Sequence, residues 1–134
     1  MNDRILLHHG SGGKLTHQLI DTVFHKHFSN EILNAMSDSA VFQTGSTHLS
    51  YTTDSYVVNP LFFPGGNIGK LAVCGTVNDL AVSGAIPMYI SAGFIIEEGF
   101  SLSELDKIAQ TMAIAAFEAN VKIVTGDTKV VEKG

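Results

Sequence analysis

The chain has 134 residues, with 13 acidic against 8 basic side chains and a net charge of −5. Hydrophobic residues make up 45% and charged residues 16%, which excludes disorder as the main state and supplies the apolar surface for one ordinary domain. The acidic balance argues against a general nucleic-acid binder, which needs a basic face to neutralise phosphates. The single cysteine, Cys74, excludes an internal disulfide framework and a cysteine-based zinc cluster.

No apolar run approaches the ~18 residues of a membrane helix. The start, Met1-Asn2-Asp3-Arg4 followed by three apolar residues, does not read as a signal peptide. The expected setting is soluble, reducing and cytoplasmic. Glycine is the conspicuous residue, with 13 in the chain against 3 prolines, and its positions guide the rest of the reading.

In chain order, Ile5-Leu6-Leu7 runs into the glycine-rich loop His8-His9-Gly10-Ser11-Gly12-Gly13. A helix is predicted from Lys14 to about Phe28, with Leu15, Leu19, Ile20, Val23, Phe24 and Phe28 on one stripe. Two strands follow, Ala40–Thr44 and His48–Val58, joined at the hairpin-like Gly45-Ser46. Alternation along the second strand puts Ser50, Thr52 and Asp54 on its polar face. Residues 59–66 read as a loop. Asn67 is a good N-cap for a helix from Ile68 to about Ser83, with Gly84 as its stop. That helix is apolar nearly all round, so burial on several sides is expected, with Cys74 an inert core thiol. A strand over Met88–Ile96 comes next. Ser101 and Glu104 then suggest a capping box, and Phe100 with Leu105 a hydrophobic staple. The helix that follows sends Leu102, Leu105, Ile108, Ala109, Met112, Ala116 and Phe117 inward and ends near Asn120. A last strand, Val121–Thr125, leads into the turn-like Gly126-Asp127-Thr128.

The predicted fold class is α+β (an α/β layer). A four-stranded mixed sheet carries its helices on one face. The whole of residues 1–134 forms one domain, an N-terminal arm and helix over 1–38 and a ββαβαβ core over 39–134.

Four constellations have chemical content. His9-Gly10-Ser11-Gly12-Gly13-Lys14 imitates a Walker A loop but fails its pattern: the first glycine would fall at His8, and Leu15 brings no hydroxyl for magnesium. It remains a loop of backbone N–H groups able to wrap phosphates, or a plain mobile arm. Asp54 lies in a predicted strand, where carboxylates are depleted. Asn78-Asp79 lies in an apolar helix, where a carboxylate must be paired, hydrogen-bonded or metal-bound. Asp127 follows the last strand, at the end where ligands of layered α/β folds gather. A few hard carboxylate oxygens suit magnesium, which keeps waters and substrate phosphates in its shell. The histidines form no defensible metal site: His8 and His9 are adjacent, and His25 and His27 do not share a helix face.

Longer stretches carry a resemblance. They are His9-Gly10-Ser11-Gly12-Gly13, Thr53-Asp54-Ser55-Tyr56-Val57-Val58, and Pro60 through Ala72. Gly75-Thr76-Val77-Asn78-Asp79 through Ala85, Gly93 through Gly99, and Val124 through Val131 complete them. On these stretches the chain resembles the N-terminal domain of the HypE family of hydrogenase maturation proteins. That family lies in the superfamily of aminoimidazole ribonucleotide synthetase, selenophosphate synthetase and thiamine monophosphate kinase. The resemblance implies a PurM N-terminal-domain-like fold whose sheets pair into a barrel in a homodimer. It implies an ATP- and Mg2+-dependent carbamoyl dehydratase, which turns an S-carboxamide on its own C-terminal cysteine into a thiocyanate. The carboxamide comes from the carbamoyltransferase HypF. The cyano group passes to the HypC–HypD complex and becomes a cyanide ligand of [NiFe]-hydrogenase, with no nucleic acid or membrane involved.

Carried over by position, Asp54 and Asp79 match the family's magnesium-holding aspartates, and Asp127 matches a loop against the phosphates that holds metal or nucleotide. Gly12, Gly13, Lys14, Thr53, Asn67, Asn78, Gly126 and Thr128 match nucleotide-contacting positions. The C-terminal domain and its terminal cysteine are absent, and Cys74 cannot replace that cysteine. The chain is therefore expected to be the Mg-ATP-binding, dimerising part, inactive alone. The alternative expectation is an assembly module that dimerises without binding nucleotide.

Overall fold

The computed structural model describes residues 4–134. Met1–Asp3, on which the reading of the N-terminus partly rests, lie outside the described residues. No helix among the described residues is long and apolar enough to cross a membrane.

The arm begins with a short 3-10 turn, Leu7–Gly10. Helical backbone then runs without a break through α1 (Lys14–Leu19), a π-helical segment (Ile20–Phe24) and α2 (His25–Phe28). The predicted helix is present, but most of its apolar stripe is not buried. Leu19 and Ile20 are half-buried, while Leu15, Val23, Phe24 and Phe28 are exposed. Phe24 and Phe28 stack on each other instead, with ring centroids 6.3 Å apart.

β1 (Ala40–Thr44) and β2 (Thr47–Tyr51) form the expected antiparallel hairpin, with Thr44 opposite Thr47. Gly45 takes the positive φ of 60° that the two-residue turn requires. β2 stops at Tyr51, seven residues short of the predicted end. Beyond it the polar side chains bond to neighbouring segments and the backbone leaves the ladder. The predicted loop contains a two-residue antiparallel pairing of β3 (Phe62–Phe63) with β4 (Gly66–Asn67).

α3 (Ile68–Val82) starts where expected. Asn67 is 5% exposed, and its Oδ1 accepts from the Gly69 and Lys70 N–H groups at 2.9 and 3.2 Å. Its Nδ2 donates to Thr111 Oγ1 at 2.9 Å, tying the start of α3 to α4 (Leu102–Glu118). At the other end Gly84, with φ 77°, closes a Schellman motif: its N–H reaches Ala81 O, and that of Ala85 reaches Leu80 O. α4 ends the same way with Asn120 in the glycine role. The capping box at the start of α4 does not form. Ser101 Oγ pairs with Ser103 Oγ, and the Glu104 N–H reaches the Ser101 carbonyl.

β5 (Tyr89–Glu97) and β6 (Lys122–Val131) pair in parallel, with α4 as the crossover. β6 runs straight through Gly126-Asp127-Thr128, which were expected to follow the strand. A side chain at Gly126 would strike the Ala92 carbonyl of β5, so this glycine serves close strand approach. A one-residue register shift leaves Val124 outside the pairing.

The strands do not merge into one four-stranded sheet. Among the described residues there are three separate two-stranded sheets. What joins the hairpin to the rest is a set of hydroxyls: Ser39 Oγ lies 2.7 Å from both Ser50 Oγ and Ser83 Oγ, where a ladder would need backbone pairing. The core is Val73 of α3, Ile90 of β5, Ile108, Met112, Ala115 and Ala116 of α4, and Val121. Leu102, Ala109 and Phe117, expected inward, are exposed. α3 buries only Gly69 and Val73, and Cys74 is exposed, so neither the many-sided burial nor the core thiol is found.

Gly69 sets the distance between the two long helices. A methyl group there would lie 2.6 Å from the Ile108 carbonyl and 2.7 Å from Met112 Cγ. Gly69→Ala should lower stability by about 1–3 kcal/mol, as overpacking does, and Asn67→Ala by about 1–2 kcal/mol through the lost cap. Urea midpoints of the two variants against the parent check both values.

Candidate functional site

The polar centre of the molecule lies where the coil leaving β2 passes α3. Two features place it there. The hairpin is anchored to the C-terminal end of α3 by Ser39 and by Ser83, the residue that follows the helix, and Ser83 Oγ in turn bonds the Asp79 carbonyl at 3.1 Å. Just past the hairpin, Thr52 Oγ1 lies 3.1 Å from the Asp38 carbonyl and 3.4 Å from Asp79 Oδ2. A hydroxyl has one proton, so Thr52 serves one of these acceptors at a time.

Two residues further on, Tyr56 Oη donates to Asp54 Oδ2 at 2.7 Å. Burial and this bond to Asp54 push the Tyr56 phenol up to about 12, with the nearby Thr76 hydroxyl acting in the opposite direction. The phenol is therefore protonated across the physiological range and acts as a donor.

Asp79 is half-buried. Loss of water raises its proton affinity above the usual carboxylate value. The charges of Asp54 and Asp38 raise it further, and Thr52 opposes it. Asp54 and Asp79, from different segments of the chain, are thus close enough to repel.

The other expected site residues lie elsewhere or serve other bonds. Asp127 sits in β6, exposed, in an ion pair with Lys129. Gly126 faces Ala92, and Thr128 is exposed in β6. Asn67 is the buried cap and tether of α3. Asn78 is exposed on α3, and Thr53 is exposed on the coil beside Asp54. Gly12, with φ 74°, and Gly13, the residue before α1, lead to an exposed Lys14. Segments of the arm pack chiefly against one another. Among the described residues no three His, Cys, Asp or Glu side chains converge tightly enough to hold a metal by themselves.

The donor chemistry nevertheless fits a hard divalent cation. Asp54 and Asp79 bring carboxylate oxygens together, and among the described residues no basic side chain bonds to either. Magnesium takes one or two carboxylates and fills its shell with water and phosphate oxygens. Tyr56, Thr52 and Asp38 were not singled out from the sequence. The spacing Asp54-x-Tyr56 was the available signal, because residues two apart in extended chain share a side.

The sign of the Asp79 shift makes a prediction. Below its ordinary value of 3.8 the carboxyl is protonated in both the folded and unfolded states, and no penalty exists. As pH rises above that value, the unfolded state loses its proton first, so stability falls until the folded carboxyl has ionised. In metal-free buffer Asp79→Asn should therefore melt higher than the parent at pH 7, and the difference should vanish toward pH 3. Thermal melts across that range check it.

The family model for the N-terminal domain of AIR synthase related protein matches residues 36–134. The chain is 57% identical to carbamoyl dehydratase HypE of Rhizobium leguminosarum bv. viciae, over 99% of this chain and 38% of that protein. It is 51% identical to carbamoyl dehydratase HypE of Escherichia coli K12, over 98% of this chain and 41% of that protein. It thus spans about two-fifths of the length of these relatives. Among solved structures it is similar to a HypE–HypF complex, with a TM-score of 0.79 and 59% identity over 87% of this chain and 37% of that one. It is also similar to hydrogenase maturation protein HypE in complex with ATP, with a TM-score of 0.65 and 51% identity over 98% of this chain and 39% of that one. The fold is accordingly α+β and PurM N-terminal-like. A match across all of the core and the end of the arm means that this chain belongs to the AIR synthase related family, through its N-terminal domain.

Proposed function

We propose that this chain is the Mg-ATP-binding and dimerising part of an ATP-dependent carbamoyl dehydratase of hydrogenase maturation. The observation that carries this reading is the pair of opposed carboxylates, Asp54 and Asp79, in a chain similar to a HypE that was solved with ATP. Similarity to a HypE–HypF complex supports the carbamoyltransferase HypF as partner, and HypC–HypD would receive the product. The setting is cytoplasmic.

The reaction removes the elements of water from an S-carboxamide, R–S–C(=O)–NH2, to give R–S–C≡N. The amide oxygen is a poor leaving group. Phosphorylation by ATP converts it into one that departs as phosphate, and the nitrogen gives up its two protons. The sulfur belongs to a C-terminal cysteine.

Catalysis of phosphoryl transfer is chiefly positioning and charge neutralisation. Asp54 and Asp79 would hold Mg2+, with Asp127 as a third ligand or a nucleotide contact. Bound Mg2+ would offset the charge of the phosphates and orient them. Gly12, Gly13 and Lys14 would bring backbone N–H groups and one cation to the triphosphate. Thr53, Asn78, Gly126 and Thr128 would contact the nucleotide, with Asn67 fixing the start of α3 beside it. Without a cation, the carboxylates would repel the nucleotide, so binding should require magnesium.

The dimer has its own support. The structure exposes 10348 Å², where a folded monomer of this mass exposes about 6,800 Å². Ile123, Val124, Val130 and Val131 of β6 and Ile95 of β5 are exposed, as a sheet that pairs with a second copy would leave them. The same surface supports the second reading, an assembly module that binds no nucleotide in isolation.

Calorimetric titration with ATP, with and without Mg2+, separates the two readings. The first expects magnesium-dependent binding that Asp54→Asn and Asp79→Asn each weaken at least tenfold, as lost metal ligands do. No binding, and no effect of either substitution, would leave the assembly module. Sedimentation should find a dimer in both cases.

A further inference from the structure

We propose that Tyr56 is the positioning residue for the Asp54 carboxylate, and that Gly75 is the gap in α3 that admits its hydroxyl. This rests on the reading of Asp54 as a magnesium ligand and goes beyond it.

Asp54 lies on coil after β2 ends, so no backbone ladder fixes its direction. Its neighbour Val57 is fully exposed. Against this background Tyr56 is half-buried. Its ring reaches α3, and its Oη donates to Asp54 Oδ2 at 2.7 Å. One carboxylate oxygen is thereby fixed and Oδ1 remains available. Repulsion from Asp79 would otherwise swing an unrestrained side chain away. The phenol bond is the element that keeps the two carboxylates facing one site.

Gly75 explains how the ring comes so close. It lies in the interior of α3 with no positive φ, where alanine would favour the helix more. No turn requires a glycine there. A methyl group at this position would overlap Tyr56 Oη and lie 2.8 Å from its Cζ and 3.0 Å from Cε1. The glycine gives up helix propensity, and the phenol takes the space.

The test uses the protein as encoded by its gene, with Mn2+ alone as the probe and water-proton relaxation as the readout. Tyr56→Phe keeps the ring and removes only the bond. It should retain the melting temperature and near-ultraviolet circular dichroism of the parent, yet bind Mn2+ about tenfold or more weakly, as loss of a hydrogen bond to a ligating carboxylate does. In an Asp54→Asn background the same change should have no further effect. Gly75→Ala should weaken Mn2+ binding by a similar factor and should not add to Tyr56→Phe. In the parent, Mg2+ should give a tyrosine ultraviolet difference spectrum that Asp54→Asn abolishes.

Parental Mn2+ affinity in folded Tyr56→Phe would overturn the proposal, and so would an undiminished loss in the Asp54→Asn background. If Tyr56→Phe does not fold, absence of the difference spectrum in the parent overturns it equally. Unchanged Mn2+ affinity in both Asp54→Asn and Asp79→Asn overturns the magnesium reading itself, a result distinct from failure of Tyr56 alone.

Discussion

Helix α3 can lie against its neighbours only because two of its residues have no side chain. Gly69 lets the backbone of α4 approach at Ile108, and Gly75 admits the ring of Tyr56. The two glycines are six residues apart, or about 600° of helical rotation. They therefore open on different sides of the helix. One side builds the hydrophobic core with Val73, Ile108 and Met112. The other receives the coil that carries Asp54. Asn67 joins the two tasks, because the same amide that caps α3 also holds Thr111 of α4. The helix is thus fixed in place by the core and by Asn67, and the direction of Asp79 follows from that fixation.

Charge supplies the next constraint. Asp79 sits near Asp54 and Asp38, and each raises its affinity for a proton. A surface built only for stability would separate these groups or place a basic residue among them. The available bonds do neither. Thr52 donates to Asp79 in exchange with the Asp38 carbonyl, and Tyr56 donates to Asp54; both are neutral donors. They orient the carboxylates without cancelling their charge. By contrast Asp127 has a lysine of its own in Lys129, which makes it a different kind of acid from the other two.

Much of this was legible from local chemistry. Asn67 as a cap, Gly84 as a stop and Gly45 in the hairpin turn each follow from rules that involve only a few neighbouring residues. The structure departs from the sequence reading where distant partners decide. Gly126-Asp127-Thr128 has the composition of a turn, yet a parallel partner, β5, keeps it in the ladder. Ser101 and Glu104 have the spacing of a capping box, yet Ser103 takes the serine hydroxyl. The nearly all-round apolar α3 suggests burial on several sides, because composition alone cannot say which faces have neighbours within this chain. At the site, Asp54 and Asp79 could be chosen as carboxylates in unfavourable settings. Tyr56 could not be chosen in the same way, because its role depends on a space left 19 positions away at Gly75.

The small core and the exposed strand pair have a common cause in the crossover. With α4 laid between β5 and β6, one face of that pair gains a neighbour, and Ile90 and Val121 are buried through it. The opposite face gains none among the described residues, and β6 is exposed along its whole length. Burying apolar area is the main favourable term in folding, so an uncovered face of this size lowers the stability of an isolated copy. Covering it would also restrain β6, the strand that carries Gly126, Asp127 and Thr128. Asp54 and Asp79 are held by bonds inside one copy, through Tyr56, Thr52 and the serine hydroxyls. Among the described residues, those of β6 have no such support beyond the ladder with β5 and the Lys129 ion pair. On the proposed reading, then, the metal end of the site is set by the fold of one chain, and the β6 end is set by whatever covers the sheet. Assembly and nucleotide binding would be linked through β6.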